Sequence, residues 1–104
     1  MKLVIIESPY SGDVEKNTKY ACECMFDSLK RGEAPLASHL LYTQVLDDKD
    51  IDQRHWGMEA GFAWGAVAEI VVVYTDLGIS RGMELGIEKA KAQNKTIEYR
   101  KLYE

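Results

Sequence analysis

Short apolar runs alternate with longer stretches whose apolar residues recur at helical spacing. Leu3-Val4-Ile5-Ile6 is a continuous run of branched residues, the mark of a strand covered on both faces. It ends in the turn cluster Ser8-Pro9-Tyr10-Ser11-Gly12-Asp13. Val14, Ala21, Cys24, Met25 and Leu29 then fall on one stripe of a helix that Gly32 stops. Ala34–Ser38 is a second, shorter strand, and Leu40–Asp50 a loop with an acidic end. Asp50 or Asp52 caps a helix running to about Ala68. Ile70-Val71-Val72-Val73-Tyr74 is the clearest strand in the chain. After the turn Thr75–Ile79, Ser80 caps a helix ending near Gln93-Asn94. Thr96–Arg100 is an alternating edge strand.

Strands alternating with helices predict an α/β fold with a parallel sheet and right-handed crossovers. With four strands the expected order is 2-1-3-4, a small doubly wound, flavodoxin-like or Rossmann-like three-layer sandwich, one domain over residues 1–104. In such a sheet a ligand crevice opens where the winding reverses, beyond the carboxyl ends of strands 1 and 3. The segments that reach it are Ser8–Asp13 and Thr75–Glu84.

Composition narrows the field. The chain has 104 residues, 46% of them hydrophobic, and 13 Lys and Arg stand against 17 Asp and Glu. That suits one packed core rather than disorder. The acidic balance argues against nucleic acid as partner. No apolar run approaches the roughly 18 residues of a membrane span, and no secretory signal is expected. Cys22 and Cys24 stand two apart on a helix, which suits neither a disulfide nor shared metal ligation, so no metal is expected. Cys24 reads as core and Cys22 as a reduced, partly covered thiol, which fits the cytoplasm.

The two loop segments carry the candidate chemistry. Both lead into helix N-termini, where unpaired N–H groups and the dipole favour an anion. Ser8, Ser11 and Gly12 on one side, with Gly78, Ser80, Arg81 and Gly82 on the other, suit a phosphate, although helix capping needs the same residue types. Tyr10 can stack on a base or bond a sugar hydroxyl. His39, after strand 2, is a further ligand candidate, whereas His55 reads as helix packing or surface. Arg54 can hold a phosphate or form a surface ion pair. Glu84 stands in the first turn of the last helix, and Asp76 at the end of strand 3. A carboxylate beside an anomeric carbon can act as nucleophile or stabilise an oxocarbenium-like transition state. The plainer reading of Glu84 is a solvated surface acid.

At these residues the chain resembles the nucleoside 2-deoxyribosyltransferase-like superfamily. That group contains deoxyribosyltransferases and deoxynucleoside-monophosphate N-glycosidases. Ser8-Pro9-Tyr10-Ser11-Gly12 looks like the superfamily's first loop, which lines the sugar or phosphate site. Val71–Asp76 looks like its strand with an acidic end, and Gly82-Met83-Glu84-Leu85-Gly86 like its helix start with the nucleophilic glutamate. The resemblance implies Glu84 as nucleophile, Asp76 as supporting acid and no cofactor. The chain also looks close to a group of small phage and Gram-positive bacterial proteins without an established activity, through Arg54, Gly57, Gly61, Trp64, Tyr74–Met83 and Glu98–Arg100. Two functions stay open: cleavage or transfer at an N-glycosidic bond, and non-catalytic binding or sequestration of a nucleotide-derived molecule.

Gly57, Gly61 and Gly65 recur every four residues along the second long helix. Each costs about 1 kcal/mol of helix propensity against alanine, so close backbone approach is expected there. The stripe either packs on the sheet or meets a second subunit, and a homodimer through this helix is the expectation.

Overall fold

The computed structural model describes residues 1–103. β1 (Leu3–Glu7) leads to α1 (Val14–Lys30) and β2 (Ala34–Leu36). A one-turn helix α2 (Ser38–Leu41) and a 3-10 turn (Tyr42–Gln44) follow, then α3 (Ile51–Val67), β3 (Ile70–Tyr74), α4 (Arg81–Ala92) and β4 (Thr96–Arg100). The strands form one parallel sheet in the order β2-β1-β3-β4. The expected α/β class and strand order are those found.

Strand parity sorts the core into two layers. Val4 and Ile6 of β1 face α1 and pack with Tyr20, Cys24, Val72 and Tyr74. Ile5 faces the other way, with Val71 and Val73, onto Met83, Ile87 and Ala90 of α4. β3 is buried along its whole length, which explains its unbroken apolar run. The helix starts are capped by Asp13, Asp50 and Ser80, whose side chains accept from the backbone N–H groups of Lys16, Gln53 and Met83.

Three expectations need correction. The second strand stops at Leu36, and Ser38–Gln44, read partly as strand and partly as loop, is helical. The Thr43 hydroxyl and the Gln44 side-chain amide there donate to the carbonyls of His39 and Leu40, so the helical turns are held locally. Cys22 is exposed rather than partly covered, while Cys24 is buried as expected.

The third correction concerns the glycine stripe of α3. It does not lie flat on the sheet but faces α2 and the residues that follow it. A Cβ at Gly57 would meet Leu46 at 3.3 Å, and one at Gly61 would meet Ser38 Oγ at 2.8 Å. Leu46, the 3-10 turn and α2 therefore occupy the space that side chains on α3 would need. The Trp64 indole N–H donates to the Tyr42 hydroxyl at 2.7 Å and fastens the same contact. Only Gly65 of α3 is fully buried, and Trp56, Trp64 and Val67 are exposed. A second copy would have to meet this helix on that outer face. No helix among the described residues is long and apolar enough to cross a membrane.

Candidate functional site

The carboxyl ends of β1 and β2 open into a crevice of about 240 Å³. Its floor is the sheet, through Ile5, Glu7 and Val71. One wall is α4, and the other is α2 with the glycine stripe of α3. Because Gly57, Gly61 and Gly65 project no side chain, α3 can stand close to α2 and still leave this space open.

The two turn segments converge as expected. Ser8, Tyr10 and Ser11 line the crevice from the first loop, and Ser80, Arg81 and Gly82 line it from the start of α4. Gly12, with φ +101°, makes the reversal that returns the chain into α1, and it lines a neighbouring pocket beside Asp48 and Arg54. Gly78, with φ +85°, makes the turn before Ser80 but does not line the crevice. Both lie in the left-handed region that side chains disfavour. Pro9 is buried and also outside the lining.

His39 joins the site by way of β2 and α2. Its Nε2 lies 2.7 Å from Ser8 Oγ. Burial holds the imidazole down to about 4, so it is neutral at pH 7. A neutral ring can accept the Ser8 hydroxyl proton in this bond. The pair locks the first loop to α2 across the end of the sheet.

The two carboxylates expected to act do not reach this space. α4 turns about 100° per residue. Met83, Ile87 and Ala90 face the sheet, while Gly82, Gly86, Lys89 and Gln93 face the crevice. Glu84 is two residues from both Gly82 and Gly86 and so lies on the far side of the helix. It is half exposed and pairs with Arg81 Nη1 at 3.1 Å, as Glu88 does at 3.8 Å. Asp76 belongs to the opposite layer. Its Oδ1 accepts from the Tyr20 hydroxyl at 2.6 Å and from Leu102 N at 2.8 Å, and its Oδ2 accepts from Tyr103 N at 3.0 Å. Burial alone would raise its pKa, but these hydrogen bonds outweigh burial and hold the carboxyl below its usual range. Asp76 is a staple for the C-terminal segment.

Sequence reasoning missed Glu7, a carboxyl group on the floor of the crevice, which Asp48 also lines. Glu7 ends β1 on the same side as Ile5, against α4. A Cβ on Gly86 would lie 2.6 Å from its carboxyl carbon, so Gly86 is the seat on which Glu7 rests. No hydrogen bond or ion pair to Glu7 occurs among the described residues, and burial raises its pKa to about 8. At neutral pH it is mostly a carboxylic acid. Parity could have exposed it: a single acid closes an apolar strand, two residues after Ile5. Arg54, expected either here or in a surface pair, lines both pockets, and Lys89 places its ammonium 5.7 Å over the Phe62 ring at the crevice wall. His55 lies outside, 3.8 Å from Glu59.

No group of His, Cys, Asp and Glu suited to a metal ion occurs among the described residues. The crevice instead combines a helix N-terminus with Ser80 and Arg81, a neutral Ser8–His39 pair, aromatic and aliphatic walls, and the acid Glu7 on its floor. No curated protein matches the chain. The model of one family, described as a domain of unknown function, DUF7768, matches residues 2–100, and the chain belongs to that family.

Proposed function

We propose that this protein binds a nucleoside or nucleotide in the crevice beyond β1. One observation carries the reading: the first loop and the start of α4 converge on a single cavity that is anion-suited at one end and apolar along its walls. The backbone N–H groups at the start of α4, with Ser80 and Arg81, suit a phosphate. Tyr10, Met58 and Phe62 offer surface for a planar ring. The volume, about 240 Å³, suits one small molecule.

Binding without turnover is the preferred form of this reading. Cleavage of an N-glycosidic bond by a glutamate nucleophile needs an ionised carboxylate at the anomeric carbon. Glu84 lies outside the crevice, and Glu7 is mostly uncharged at neutral pH. Cleavage or transfer remains the second reading, supported by the resemblance of Gly82–Gly86 to the deoxyribosyltransferase helix start.

A panel of nucleosides and their monophosphates, followed by thermal unfolding, tests binding, because a ligand of the folded state raises the midpoint. Chromatography of the same mixtures separates the two readings. A stabilising nucleotide returned intact supports the first, and free base supports the second. No stabilisation by any member at millimolar concentration overturns both.

A further inference from the structure

The second half of α3 has no polar side chain: from Ala60 to Ala68 the chain reads Ala-Gly-Phe-Ala-Trp-Gly-Ala-Val-Ala. Yet Ala63, Trp64, Ala66 and Val67 are exposed, and so is Trp56 two turns earlier. A helix that is apolar all round is normally covered on every side. Here the glycine side of α3 is covered by α2, the 3-10 turn and Leu46, while the opposite side is open to solvent. At about 100° per residue, Trp56, Ala60, Ala63, Trp64 and Val67 fall within an arc of about 100°. That is the width of a stripe that faces a core.

The size of the face fits one occupant. Trp56 is 60% exposed, Trp64 49% and Val67 61%. With the alanines between them they offer roughly 400 Å² of apolar surface. About two thirds of a homodimer interface is apolar, so this core implies roughly 600 Å² on each side, or about 1,200 Å² in all, where specific, stable pairs begin. The face is also self-complementary. Trp56 and Trp64 stand four residues before and four residues after Ala60. Lipid suits it less. Interfacial helices are rich in lysine and arginine, whereas α3 carries Asp52 and Glu59 against a single arginine, Arg54, which lines the crevice on the other side.

We propose that the chain forms a two-fold dimer in which the α3 helices of two copies pack antiparallel across Ala60. The axis sets Trp56 beside the partner's Trp64 at both ends of the contact, and the small side chain of Ala60 lets the helix axes approach to about 8–10 Å. The glycine stripe, expected to meet a second subunit, lies on the other side of α3. The pairing therefore leaves the crevice open and stands independently of its ligand.

Sedimentation equilibrium of the whole chain tests this, with a mass of about twice 11.8 kDa expected at about 100 µM. Trp56→Asp and Val67→Lys alter exposed positions, so circular dichroism should show both variants folded. Each should raise the dissociation constant at least about tenfold. Phe26→Asp, at an exposed apolar residue of α1, should leave it within about twofold. The chain's two tryptophans both lie in the contact, so their emission should move to longer wavelength as dilution separates the copies. A chain that stays at 11.8 kDa overturns the proposal, and pelleting of that monomer with phosphatidylcholine–phosphatidylglycerol vesicles assigns the face to lipid instead. A dimer that keeps its affinity in both α3 variants, or one that Phe26→Asp weakens as much as they do, overturns the assignment to α3.

Discussion

The carboxyl group of Glu7 rests on the bare backbone of Gly86, so that a β carbon at position 86 would stand 2.6 Å from the carboxyl carbon. The contact joins the end of β1 to the middle of α4 and sets the depth of the crevice. It also ties stability to pH. Burial raises the folded-state pKa of Glu7 to about 8, against 4.5 in the unfolded chain. Between those values the unfolded chain has released the proton and the folded chain has kept it. The folded state therefore loses stability as pH rises from 4.5 to 8 and levels off above. Glu7→Gln should be nearly neutral at pH 4.5 and stabilising by up to about 4 kcal/mol at pH 8.5. Urea unfolding at the two pH values measures this, and equal differences at both would refute it.

His39 works in the opposite sense. Burial lowers its folded-state pKa to about 4, so the unfolded chain takes up a proton first as pH falls. Stability is lost from about pH 6.5 down to 4, opposing the gain from Glu7 in the part of that window above 4.5. His39→Gln should flatten the acid limb of the stability curve. Proton NMR of the imidazole in the folded protein should give a midpoint near 4, and a midpoint above 6 would contradict the burial argument.

Asp76 should matter for stability rather than for ligand. Its two oxygens accept the Tyr20 hydroxyl and the backbone N–H groups of Leu102 and Tyr103. Asp76→Ala leaves these donors unpaired and should cost about 2–3 kcal/mol. Hydrogen exchange at Leu102 and Tyr103 should accelerate while exchange in β1 stays slow. Nucleotide-induced stabilisation should persist, and its loss with the fold intact would return Asp76 to the site.

Arg81 and Glu84 should separate in their effects on ligand. Both are exposed, and their mutual ion pair is worth at most about 1 kcal/mol. Arg81→Ala should weaken a nucleoside monophosphate by about tenfold and its nucleoside hardly at all, because only the former carries the charge. Glu84→Ala should leave both affinities within about twofold. If calorimetry finds Glu84→Ala as damaging as Arg81→Ala, Glu84 belongs to the site.

Buried charge at the sheet edge gives the largest predicted loss. Arg100, with 6% of its side chain exposed, forks onto Glu33 at 2.8 and 2.7 Å and onto Glu98, and its Nη1 reaches the Tyr74 hydroxyl. The hydrogen bonds from Arg100, with one from Ser28, outweigh burial and hold Glu33 down to about 2. Arg100→Met leaves Glu33 buried without its cation and should cost about 3–5 kcal/mol at pH 7. Lysine cannot reproduce the fork and should rescue little. A loss below 1 kcal/mol in denaturant unfolding would show that water replaces the arginine.

The order of elements was legible in the chain because it rests on local rules. Unbroken apolar runs at Leu3–Ile6 and Ile70–Tyr74 announce buried strands, and Asp50 and Ser80 announce helix starts. Parallel alternation then leaves few sheet orders, so the meeting of the two turn segments followed from the sequence by itself. What it did not determine was direction. Glu84 and Asp76 stand in the right segments, but only the packed molecule decides which face of α4 meets the sheet and where the residues after β4 return. Met83, Ile87 and Ala90 take the sheet, which turns Glu84 outward, and the backbone of Leu102 and Tyr103 claims Asp76. The glycines of α3 met residues of α2 and the following turn, in a segment read mostly as loop. Glu7 became the crevice acid because its neighbours, and not its residue type, cover most of it and leave it unpaired among the described residues. Such burial is a property of neighbours distant in the chain, and a residue's own position along the sequence does not contain it.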